Sequence, residues 1–208
     1  MQMDKAYLQL LINELQAKGV VFEQGLSDDE ILQVERTYEF KFPPDLRALL
    51  QFALPISKGF PNWRRGWAAN QIVDWGNVRN GRPAVTGHEL VPIREQLEWI
   101  VKGICFDIER NDFWMSEWGP KPEDIQSAVA VARKQLTQVP KLIPVYSHRF
   151  LPSEPCISGN PIFSVYQTDI IYYGFDLASY FANEFKVTSP EWAATEARQI
   201  GFWSALVG

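Results

Sequence analysis

Residues 162–166 (Ile-Phe-Ser-Val-Tyr) and 170–174 (Ile-Ile-Tyr-Tyr-Gly) are two runs rich in β-branched and aromatic residues, separated by polar Gln167-Thr168-Asp169. Such a pair makes a β-hairpin. Immediately before it, residues 141–146 and 148–151 read as short extended segments around Pro144. Most of the chain ahead of these carries helical patterns, so helices come first, strands cluster late, and strict βα alternation is missing. That order predicts an α+β fold, with a mainly antiparallel sheet of about four to six strands and helices packed against it.

The helices announce themselves by spacing and by caps. In residues 4–18, Tyr7, Leu8, Leu11 and Leu15 lie at i, i+1, i+4 and i+8, and Gly19 follows as a terminator. Residues 20–22 suit a short strand. Ser27-Asp28-Asp29-Glu30 is a capping box, followed by Ile31, Val34, Glu35 and Tyr38 at the helical period. Pro43 and Pro44 break that pattern and open a third helix burying Leu46, Leu49, Leu50 and Ala53. Residues 93–101 form the next helix, with Leu97 and Ile100 inward, and apolar 104–108 reads as a strand. In residues 122–139, Ile125, Ala128, Val129, Ala132 and Leu136 make an apolar stripe behind an acidic first turn. Asp176 caps a helix carrying Leu177, Tyr180, Phe181 and Phe185, and residues 190–206 supply a last helix anchored by Trp192 and Trp203. The chain thus reads as a single domain over 1–208, with 1–25 as an N-terminal helix and short strand. Residues 55–90 differ: glycines and prolines punctuate Trp63, Trp67 and Trp75. They read as an irregular, aromatic-anchored insertion packed on the domain, with one short helix near 68–75.

Composition narrows the function. Two cysteines, Cys105 and Cys156, rule out a disulfide scaffold and a four-thiolate zinc site. No apolar run approaches about 18 residues, so no membrane-spanning helix is expected. The first residues lack a secretory pattern, which points to the cytoplasm. A net charge of −5 argues against non-specific nucleic-acid binding. Within it, residues 104–125 carry two basic and six acidic side chains around Trp114 and Trp118.

Tests for catalytic chemistry mostly fail. Residues 76–83 imitate the glycine spacing of a phosphate loop but lack its Lys and its Ser or Thr, and read as a turn. Neither a Gly-x-Ser-x-Gly elbow nor a His-Glu-x-x-His helix occurs. His88 and His148 lack metal-spaced partners, so no metal site is expected. Cys156 follows His148 closely, yet nothing marks an oxyanion or orienting group, and the thiol reads as a surface one. Glu109, Asp112 and Glu117 read as a solvated acidic face. The enzymatic alternative is a hydrolase using Glu117, Asp169 and His148; otherwise no catalytic residue and no cofactor are expected.

Binding is the better reading. Trp114 and Trp118, with Glu117 between them, have the makeup either of a recognition surface, because Trp supplies much contact area at little entropic cost, or of core aromatics whose acidic neighbours keep part of the stretch at the surface. Tyr166, Gln167, Asp169, Tyr172 and Tyr173 place polar groups beside large rings along the hairpin. The partner-binding set is therefore Trp114, Glu117, Trp118, His148, Arg149, Gln167, Asp169 and Tyr172.

Two stretches add a resemblance. Leu26-Ser-Asp-Asp-Glu-Ile followed by Phe40-Lys-Phe-Pro-Pro-Asp-Leu-Arg-Ala-Leu-Leu resembles the opening signature of the SUKH superfamily (Smi/Knr-like domains), and residues 159–174, opening Gly-Asn-Pro, resemble its Gly-Asn strand and hairpin. Ile104-Cys-Phe-Asp-Ile-Glu, Phe113-Trp, Trp118-Gly-Pro and Phe202-Trp-Ser also look like stand-alone bacterial members. The likeness runs from about residue 26 to 206. It implies helices against an antiparallel sheet, used to bind other proteins, without a general enzymatic activity. Bacterial relatives include immunity proteins that neutralise polymorphic toxins, and fungal ones regulate cell-wall synthesis. Where many members place Asn-Gly-Gly after the third helix, this chain has Leu54-Pro-Ile-Ser-Lys-Gly-Phe-Pro-Asn-Trp. The resulting expectation is a non-enzymatic binder of a protein partner, a cognate toxin, with a cell-wall-type regulatory scaffold as the alternative.

Overall fold

The structure, a computed structural model, describes residues 3–79 and 82–208, and within 69–79 and 82–89 the backbone alone. Helix α1 (Lys5–Ala17) starts where the Asp4 carboxylate accepts the Tyr7 amide at 2.8 Å, and it stops at Gly19. Strand β1 (Phe22–Gln24) follows, then α2 (Asp28–Tyr38) behind the expected capping box, in which Ser27 and Glu30 each accept the other's amide. Pro44 opens α3 (Pro44–Phe52), and β2 (Ala53–Pro55) returns antiparallel to β1.

The next segment corrects the sequence reading. Strands β3 (Pro61–Asn62), β4 (Trp67–Arg79) and β5 (Arg82–Pro92) form a three-stranded antiparallel sheet, so residues 68–75 are strand and the stretch is not irregular. Register shifts between Ile72 and Val73 and between Asp74 and Val78 take the extra residues out of the ladder, so the strand survives its glycine. Residues 80 and 81 of the expected turn lie outside the described residues. Helix α4 (Ile93–Arg110) also departs from expectation, running without a break through 104–108. A short 3-10 turn (Ser116–Trp118) leads to α5 (Ile125–Leu136), capped by Asp124.

A four-stranded antiparallel meander completes the architecture: β6 (Leu142–Tyr146), β7 (Arg149–Pro152), β8 (Ile162–Tyr166) and β9 (Asp169–Gly174). Asp176 caps α6 (Leu177–Phe185). The last helix is a single short piece, α7 (Gly201–Ala205), and not the long one expected over 190–206. The reason lies in side-chain bonds: Asp176 captures the Ala194 amide at 2.8 Å, and Arg198 reaches Ser158 O and Asn160 Oδ1, so this stretch is spent on fastening.

The meander is buried on both faces. Ile143, Val145, Leu151 and Ile162 join one core with α1, α2, α3 and α6. Leu142, Phe150, Phe163, Val165 and Ile170 join a second with α4, α5 and α7. Period-two alternation sends neighbouring residues to opposite cores. Each fully buried Leu, Ile or Phe contributes about 1.5–3 kcal/mol of transfer free energy, so both layers hold the sheet strongly. The observed fold is α+β with helices packed on antiparallel sheet, as expected. Among the described residues, no helix is long and apolar enough to cross a membrane.

Candidate functional site

Residues 112–121 build a stapled loop at the end of α4. Asp112 and Lys121 form an ion pair across its base, and Trp114 Nε1 donates to Gly119 O at 2.7 Å. Gly119 has φ +84°, a left-handed conformation suited to glycine. Inside the loop the Trp118 ring meets Trp114 edge-on (centroids 5.3 Å apart) and stacks on Phe202 of α7 at 5.9 Å. Both indoles are half-buried, resting on the second core while keeping part of each ring outside. Glu109, Asp112, Glu117, Glu123 and Asp124 are all exposed around them.

The hairpin comes to the same place from the other side. Tyr172 donates to Ser204 Oγ of α7 at 2.7 Å, beside Phe202. The β8–β9 turn, where Gln167 has φ +57°, docks on α4: Thr168 gives its amide and hydroxyl to Asp107 Oδ2 at 2.9 and 2.6 Å. Gly103 makes room, since a Cβ there would lie 3.0 Å from Gln167 Cα. Asp169 is exposed at the start of β9. Trp114, Glu117, Trp118, Tyr172, Gln167 and Asp169 thus belong to elements that meet around α4 and α7.

Arg149 does not join them as an exposed contact, whereas His148 is half-buried like the two indoles, its ring edge-on to Tyr166 beside Gln167 (centroids 6.4 Å apart). Arg149 is only 9% exposed, bonded to Glu184 Oε2 at 3.2 Å and Ser164 Oγ at 3.0 Å, with its guanidinium 3.7 Å over the Tyr173 ring. Tyr173 faces the first core and Tyr172 the second, so Arg149 sits on the far face of the sheet. Burial and the neighbouring Arg149 charge push the His148 imidazole down to about 4, and its Nδ1 lies 3.2 Å from Ser147 Oγ. Arg149 is an anchor at the start of β7.

Two cavities stand elsewhere. A groove of about 930 Å³ runs between the α2–α3 corner, the start of α4 and the α5–β6 connection, floored by Phe40, Leu97, Val101, Val139 and Trp203. Lys141 closes one side by donating to Tyr38 O at 2.9 Å and pairing with Glu39. Cys156 lies at its edge, but burial and Glu35 push the thiol up, which keeps it protonated and poorly nucleophilic at neutral pH. A smaller pocket of about 420 Å³ lies between the N-termini of α3 and α6, lined by Asp45, Asp176, Trp192 and Arg198 among others. None of the eight sequence-derived residues lines either cavity. Glu117, Asp169 and His148 share no hydrogen bond among the described residues, and no group of three metal-ligating side chains occurs among them. The sequence signal for the groove was present in Leu97 and Val101, one turn apart on α4. Arg198 carried no such signal, because its role depends on long-range contacts.

No protein-family model matches the chain, and neither a curated protein nor a solved structure matches it.

Proposed function

We propose that this chain is a non-enzymatic protein-binding domain of SUKH type, an immunity protein that neutralises a toxin by occluding a basic surface. The observation that carries the reading is the half-buried Trp114–Trp118 pair inside a stapled, acidic loop. Two rings held by core packing and by the Trp114–Gly119 bond lose little entropy on docking, which is what a hot spot needs. Of the surrounding carboxylates, Asp112 is neutralised by Lys121 and Asp124 caps α5, whereas Glu109, Glu117 and Glu123 have no ion-pair partner among the described residues. Such a rim steers and matches a cationic partner.

The two stretches that carry the resemblance to SUKH domains are fastened together, Asp45 of the first accepting the Gly159 amide of the second. Toxin neutralisation rests on the resemblance and on the charge of the loop. The test is capture from the native cell, identification of the bound protein by mass spectrometry, and assay of its toxicity with and without this chain. A basic toxin silenced by the wild type and not by Glu117→Lys supports the proposal. An identified partner that binds equally well after that charge reversal contradicts it.

A further inference from the structure

The pocket of about 420 Å³ holds an unusual set of groups. Asp45 and Asp176 are only 4% and 7% exposed, yet no basic side chain lies within ion-pair distance of either among the described residues. Each carboxylate oxygen accepts one backbone amide: Asp45 from Leu46 and Gly159, Asp176 from Ser179 and Ala194. Both carboxylates line the pocket, and no side-chain donor reaches either among the described residues. Buried carboxylates are ordinarily matched by a cation, because desolvation is costly without one. Here burial and the Asp176 charge together push the Asp45 carboxyl up.

The walls supply complementary chemistry. Arg198 is held by one nitrogen, which donates to Ser158 O at 3.2 Å and to Asn160 Oδ1 at 2.6 Å. Asn160 is itself fully buried and bonded to Pro152 O and Pro155 O, so the guanidinium has a rigid base. Its other two nitrogens have no protein partner among the described residues. Trp192 forms another wall, with Tyr7 edge-on behind it at 4.9 Å. The Tyr7 hydroxyl is buried without a hydrogen-bond partner and close enough to Asp176 to feel its charge. Exposed Glu196 completes the lining.

We infer that this pocket binds a small basic amino acid, its two cationic groups on Asp45 and Asp176 beside the Trp192 ring and its carboxylate on the free edge of Arg198. Three carboxylates against one guanidinium favour a ligand of net positive charge, and the guanidinium selects one that also carries an anion. The volume is in the range of small-molecule sites. This inference does not depend on the protein-binding reading, because none of the loop residues lines the pocket.

Titration calorimetry on the full chain, at constant ionic strength, tests it with L-lysine, L-arginine, L-glutamate and cadaverine, which is lysine without its carboxylate. Saturable binding of lysine or arginine is expected, with cadaverine weaker by about tenfold and glutamate silent. Arg198→Gln should weaken the bound amino acid by about tenfold, and Glu196→Lys, at an exposed position, by a similar factor with folding intact. Absence of saturable heat from both basic amino acids overturns the inference. So does binding that both variants leave unchanged, or cadaverine binding as tightly as lysine.

Discussion

Asp45 Oδ2 accepts the amide of Gly159 at 2.9 Å across 114 residues of sequence. With that bond the start of α3 is tied to the loop before β8, and the same loop is held from the other side by Arg198 on Asn160. Three distant segments are thereby clamped at one point.

Removing the clamp is costly. Asp45→Ala strips Leu46 and Gly159 of their acceptor in a buried setting, and a loss of about 1–3 kcal/mol is expected in urea unfolding. The pH dependence has a definite sign. Because the folded-state carboxyl is raised by burial, its contribution favours folding most at low pH and declines as pH rises above the ordinary carboxylate range. Asp45→Asn should remove that slope.

Gly103 lies in the middle of α4, where helix propensity alone says that alanine is better by about 1 kcal/mol. The structure predicts the reverse. A methyl group would press on Gln167 Cα, displacing the turn that Asp107 holds. Gly103→Ala should lower the melting temperature, and a higher one would show that the turn does not dock as described.

Arg149 and Glu184 are a largely buried pair beside Tyr173. Arg149→Ala leaves Glu184 without its partner and should cost about 3–5 kcal/mol. Pairing Arg149→Met with Glu184→Gln should recover much of that loss, because the orphaned charge is gone. Chemical denaturation of the two variants side by side makes the comparison.

His148 titrates at about 4 in the folded chain against 6.5 ordinarily. Below the unfolded value the unfolded state binds the extra proton more readily. Stability present above about pH 6.5 is therefore lost as pH falls toward 4. His148→Phe should flatten melting temperature against pH across that window, and an unchanged slope would assign it to other groups.

Local signals in the sequence carried much of the architecture. Asp4, Ser27, Pro44, Asp124 and Asp176 mark helix starts by chemistry that acts within one turn, and the structure has a helix at each. The β8–β9 hairpin was equally local. Readings failed where a distant partner decides. The helix over 93–101 was read as giving way to a strand at 104–108, whereas α4 runs on through Gly103, whose close neighbour Gln167 lies in another element. Residues 190–206 read as one helix, but Asp176 claims the Ala194 amide and Asn160 the Arg198 guanidinium. The long β4–β5 hairpin was hidden by glycines and a proline that its register shifts accommodate. At the candidate surface, Trp114 and Trp118 stood out because acidic residues flank them. Arg149 misled, since a charged residue in a strand reads as exposed until Glu184 and Tyr173 are seen beneath it.

The account stands on the acidic indole loop as the docking surface. Its most direct test is the dissociation constant of the captured partner for wild type, Glu117→Lys and Trp118→Ala, measured by calorimetry at low and high salt on variants shown to be folded. The expected result is at least about tenfold weaker binding for each variant, with the wild-type affinity falling as salt rises. Equal affinities for all three, insensitive to salt, would contradict it.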